Sequence, residues 1–181
     1  MSSDKEFLSA SVKRMKYYKE LSEKTFEQLE DKDFHFQPSS ESNSIAVMIQ
    51  HIVGNMLSRF TNFLTEDGEK EWRNRDDEFE VHDHSKQQLM DLWNKGWKCF
   101  FDAVQSLNEN DLIKTITIRG EALTVTDAII RQLAHYPYHI GQIVYVGRLI
   151  KNEDWKNLSI PKGASQAYNQ SPGIKDPAKK Y

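Results

Sequence analysis

Apolar residues return at three- and four-residue steps through four separate stretches of this 181-residue chain, a period that amphipathic helices require and strands do not tolerate. The first runs from Lys5 to Leu29 and carries Leu8, Val12, Met15, Tyr18 and Leu21 as one stripe. After a break at Gln37, Pro38, Ser39 and Ser40, Ser42 or Ser44 can cap a second helix reaching about Leu64, with Ile45, Met48, Ile49, Ile52, Met56, Phe60 and Phe63 facing inward. The third spans about Ser85 to Leu107 on Leu89, Leu92, Trp93, Gly96, Phe100 and Val104, and Asn108 to Asp111 stop it. Thr124 or Thr126 caps the fourth, which continues to about Lys151 on Ile129, Leu133, Tyr136, Ile140, Ile143 and Val144. Four such helices pack most simply as a bundle, so the expected fold class is all-α.

The intervening segments have their own signatures. Residues 65–84 are dense in charge and lack a sustained period, which predicts a long surface connection anchored by Trp72 and Phe79. Between Ile113 and Val125, Ile116 and Ile118 alternate with Thr115 and Thr117 before Arg119-Gly120, which predicts a short β-hairpin ahead of the last long helix. A chain of this length suits one domain, placed at residues 1–160. Pro161, Gly163, Pro172, Gly173 and Pro177 mark residues 161–181 as an extended tail, partly disordered at its end.

Charge narrows the function classes. Net charge is -3 with both signs interspersed, so no basic stripe offers itself to nucleic acid or to an anionic membrane. No stretch approaches the length of a membrane span, and the N-terminal residues lack the apolar core of a signal peptide. The single cysteine, Cys99, cannot form an internal disulfide, and a reducing, cytoplasmic setting is expected.

Chemistry points to histidine. His135 and His139 are four apart on the fourth helix, which puts two imidazoles on one face within reach of one ion. His51, between Met48 and Ile52 on the second helix, can supply a third nitrogen. Three neutral imidazoles suit zinc, nickel, copper or iron(II), and leave a fourth position for water or substrate, as in catalytic sites. Asn55, Gln132 and Gln142 stand at the spacings from these histidines at which an amide can orient a metal-bound imidazole. Arg59, two turns beyond His51, reads as a surface arginine that could also attract an anionic substrate, and Arg73 and Arg75 as a solvated charge cluster that could also cover a substrate over the metal, while His82 and His84 lack rigid spacing and His35 is incidental. Pro137, between the paired histidines, is expected to kink their helix.

The stretches MIQHIVGNMLSRF (48–60) and QLAHYPYHIGQIVYVGRL (132–149) resemble the DinB/YfiT-like superfamily, and within it a branch known only as a domain of unknown function. The resemblance implies a four-helix bundle of up-down-down-up type, commonly dimeric. It also implies a metal held by a histidine of the second helix and an HxxxH pair of the last, here His51, His135 and His139. Characterised relatives include thiol-dependent S-transferases and a mycothiol-dependent isomerase. The expectation is therefore a metal-dependent enzyme, with zinc or nickel as the leading metals. Its reaction would be transfer of a low-molecular-weight thiol to small electrophiles, by a homodimer. A metal-dependent hydrolase and a non-catalytic metal-binding or stress-response protein are the alternatives.

Overall fold

The computed structural model describes residues 2–173 and 175–181. The chain is mostly helical: α1 (Ser3–Phe26), α2 (Ile45–Phe60), α3 (Lys86–Gln105) and α4 (Val125–Lys151) are long, and α5 (Ser165–Gln170) is short. Each long helix begins where a side-chain oxygen can take up a free backbone N–H. Ser2 accepts from Lys5 N, Ser44 from Val47 N at 3.3 Å, Ser85 from Gln88 N at 3.3 Å and Thr124 from Asp127 N at 3.1 Å. Of the paired candidates, Ser44 and Thr124 are therefore the caps, and Thr126 instead donates to the Leu112 carbonyl at 2.9 Å.

The second helix stops at Phe60, a turn short of the expected Leu64. Asn62 there adopts φ 50°, a left-handed conformation that asparagine tolerates, and its carbonyl accepts from Thr65 N and Glu66 N. Helix α2 packs on α3 and α1 on α4, with further contacts between α2 and α4 and between α1 and α3. Their shared core is aromatic, with Trp93 edge-on to Phe26 at 5.3 Å and Trp97 edge-on to Phe100 and Tyr136 at 5.7 and 6.0 Å. Pro137 lies inside α4, which is assigned as one helix from Val125 to Lys151.

Strand β1 (Thr115–Ile118) pairs antiparallel with β2 (Glu121–Thr124) in the register Ile118↔Glu121 and Thr115↔Thr124. Arg119 and Gly120 both take positive φ, 58° and 74°, as a two-residue hairpin with the right-handed strand twist demands.

Two segments depart from expectation. The 65–84 connection is folded down: Gly68, Lys70 and Glu78 are buried, while the supposed anchor Trp72 is 60% exposed. What ties it is polar. The Asp67 carboxylate accepts from the amides of Glu69, Arg119 and Gly120 at 2.7–2.8 Å, and Gly68 N donates to Thr117 O at 2.8 Å. The tail, expected to be extended, forms α5 and a terminal 3-10 turn (Pro177–Lys180) that returns to α1. Arg14 grips Asp176 with two bonds of 2.6 Å, Ala178 is buried, and Lys180 and Tyr181 reach Glu20.

Candidate metal centre

Helices α2 and α4 bring His51, His135 and His139 together, with ligand atoms all within 4.8 Å of one another. His51 stands at the buried edge of the α2 stripe, and the paired histidines project from adjacent turns of α4. Nε2 of His135 lies 3.3 Å from Nε2 of His51 and 3.1 Å from Nε2 of His139. Nitrogens bound tetrahedrally at zinc distances, near 2.0–2.1 Å, sit about 3.3 Å apart, so both separations suit a common ion.

The outer nitrogen of each ring is occupied. Nδ1 of His51 lies 3.0 Å from Glu78 Oε2, Nδ1 of His135 3.3 Å from Gln132 Oε1 and Nδ1 of His139 2.9 Å from Gln142 Oε1. A carboxylate only accepts, so the His51 Nδ1 carries a proton, and Nδ1–H bonds to the two amide oxygens leave Nε2 of the neutral His135 and His139 rings as the ligand atom. Burial, reinforced by the neighbouring His139 and His51, lowers the His135 pKa to about 3, and burial also lowers that of His139 despite the opposing bond from Gln142. The three Nε2 atoms thus face one another, and as neutral rings they offer three lone pairs that a single cation can take up. The donor set and its spacing fit a divalent metal.

A family model described as a protein of unknown function, DUF1572, matches residues 2–164. The chain belongs to this family. Neither the curated proteins nor the solved structures give a significant match. The DUF1572 match runs from α1 through α4 and stops before α5, so the three histidines and every side chain described around them lie inside it.

Of the amides singled out in the sequence, Gln132 and Gln142 orient histidines in this DUF1572 chain, and Asn55 does not. Asn55 Oδ1 instead accepts from the buried Tyr136 hydroxyl at 3.1 Å, tying α2 to α4 beneath the histidines. The partner of His51 that sequence reasoning missed is Glu78, in the 65–84 connection. Arg73, 1% exposed at its side chain, holds Glu78 through Nε at 2.7 Å and Nη2 at 2.9 Å. Burial raises the Glu78 carboxyl, but the bonds from His51 and Arg73 outweigh it and keep the group ionised, below the usual range. Phe79 packs its ring 4.8 Å from that of His51, so one of the two expected anchors of the connection does its work at the site.

Beside the triad lies a cavity of ≈ 220 Å³ lined by His51, His135, Asn55 and Gln132 together with the arginines 59, 73, 75, 119 and 131. Arg59, read from sequence as a surface charge, is buried and reaches Glu69 at 2.9 Å and the Gly68 carbonyl. His82 and His84 pair with each other at 5.6 Å on the connection, and His35 Nε2 lies 2.9 Å from the His84 carbonyl oxygen; none of these joins the triad.

Proposed function

We propose that the chain is a divalent-metal-dependent enzyme on a DinB-like four-helix bundle, with His51, His135 and His139 as the metal ligands and zinc or nickel as the ion. The convergence of three Nε2 atoms, each with an acceptor beside the opposite ring nitrogen, carries the reading. Such acceptors raise ligand basicity and fix ring orientation. A bound ion supplies Lewis acidity, lowering the pKa of a thiol or water that it holds.

The chain's own residues divide the remaining work. Gln132, Gln142 and Glu78 orient the ligands, Arg73 holds Glu78 in place, and Phe79 packs against the His51 ring. Glu78 has its carboxylate committed to His51 and Arg73, which makes it an orienting group rather than a base. Transfer of a low-molecular-weight thiol to a small electrophile is the reaction the DinB resemblance favours. A row of uncharged residues along the outside of α4 supports the accompanying proposal of a homodimer.

Metal content of tag-free protein tests the reading. About one ion per chain is expected in the wild type, with loss in both His51→Ala and His135→Ala while circular dichroism stays helical. A wild type that takes up no zinc or nickel after reconstitution overturns it. Unfolding of the wild type by a chelator would instead assign the ion a structural role, because a folded metal-free protein is what a catalytic site allows.

A further inference from the structure

Five guanidiniums line the cavity beside the triad, and the carboxylates that pair with them are Glu69 and Glu78. Glu69 serves Arg59 at 2.9 Å, Arg119 at 3.0 Å and Arg73 at 3.6 Å, and Glu78 serves Arg73. Three positive charges are left uncompensated around a space of ≈ 220 Å³, leaving the imidazoles out of the count. Arg75 and Arg131 make no ion pair among the described residues. Like charges gathered around one space repel, and an anion held among them relieves that repulsion.

Two of these arginines also hold buried donors in reserve. Arg59 Nε and Arg73 Nη1 are shielded from solvent and have no hydrogen-bond partner, although the other edge of each guanidinium is fixed by a glutamate. A buried charged donor left without a partner is costly. Arginine takes carboxylate and phosphoryl groups as a fork of two N–H donors, and Arg75 and Arg131, which line the cavity without an ion pair among the described residues, can offer one.

We propose that this cavity binds an oxyanion borne by the substrate, a carboxylate or a phosphoryl group, and so directs the rest of a small anionic molecule toward the open side of the triad. The cavity is smaller than the 300–1,000 Å³ typical of drug-sized ligands, which limits the bound portion to a compact headgroup. The reacting end rests on the metal reading given above; the grip on the anion does not.

Inorganic phosphate and succinate serve as probes, titrated by calorimetry into metal-free and zinc-loaded protein in a chloride buffer of fixed ionic strength. Saturable binding of one probe per chain is expected in both forms, by phosphate for a phosphoryl substrate or by succinate for a carboxylate one. In Arg75→Gln/Arg131→Gln, whose side chains are exposed and whose fold and metal content should be unchanged, affinity should fall at least tenfold. Equal binding in the variant means an adventitious ion only and overturns the proposal, as does absence of binding by both probes. Zinc uptake without anion binding sinks this inference and leaves the metal reading standing, whereas anion binding without metal uptake does the reverse.

Discussion

Gly54 sits one turn from His51 on α2, and a Cβ built there would fall 2.6 Å from Glu78 Cδ, so the Glu78 carboxylate occupies space that only glycine leaves open. In Gly54→Ala the carboxylate must move, and His51 Nδ1 loses its acceptor while all three ligands remain. Loss of such an orienting partner weakens metal binding roughly 10–100-fold, and competition with a colorimetric chelator should read that range. Gln142→Ala should do the same through His139, and wild-type affinity in both would mean that these contacts do not orient the ligands. The depressed His135 pKa, about 3 against an ordinary 6.5, adds a pH dependence in the metal-free protein. The unfolded chain takes up a proton before the folded one does, so the stability contributed by neutral His135 is present above pH ~6.5 and drains away as pH falls toward 3. Melting temperatures of chelated wild type should therefore drop between pH 7 and pH 4 more steeply than those of His135→Gln. Parallel curves would contradict the burial of this ring.

Among the elements, the hairpin depends on a residue outside it. Asp67 accepts from three backbone amides, two of them in the Arg119-Gly120 turn, and these bonds hold its carboxyl far below the usual range. Asp67→Ala should cost about 1–2 kcal/mol in urea unfolding, the exposed position reducing what charged hydrogen bonds contribute when buried. It should also loosen Arg119 from the cavity rim, and an unchanged midpoint would show that the turn closes without its anchor. Helices α1 to α4, the hairpin and the HxxxH pair were legible in the sequence because each is written in local spacing, whereas the caps were legible only as the pairs Ser42 or Ser44 and Thr124 or Thr126. His51 was legible as well, since its place on the α2 stripe fixes its direction. Glu78 and the roles of Arg59 and Arg73 were not, because the 65–84 connection has no period, and a charged residue that folds over a site looks the same in sequence as one in water. Trp72 misled for the complementary reason: an aromatic in a polar loop suggests an anchor, and here ion pairs and the Asp67 turn supply the anchoring.

At the scale of the whole molecule, α4 has two contrasting faces. One carries the histidines inward; the other carries Ile130, Ala134, Tyr138, Gly141, Tyr145 and Leu149, all exposed, at steps of three and four. That spacing keeps six uncharged residues on one line for most of the helix, whereas a solvent-facing helix surface ordinarily presents charge. Small residues at Ala134 and at Gly141, the latter between the two tyrosines, suit close approach of another helix. Tyrosine is enriched at protein interfaces because its ring buries apolar area while its hydroxyl finds a polar partner. A second copy meeting this line around a two-fold axis would pair α4 with α4, placing the two triads on opposite sides of a shared helix pair. Sedimentation velocity should then show a dimer for the wild type and a folded monomer for Tyr138→Glu/Tyr145→Glu, since both side chains are exposed within a single chain, at 63% and 68%, and their replacement leaves the core intact. Metal content should survive in that monomer, because every ligand and every orienting group comes from one chain. A dimer that persists in the variant would move the interface elsewhere, and metal lost on dissociation would mean that the partner helix stiffens the α4 turn on which His135 and His139 stand.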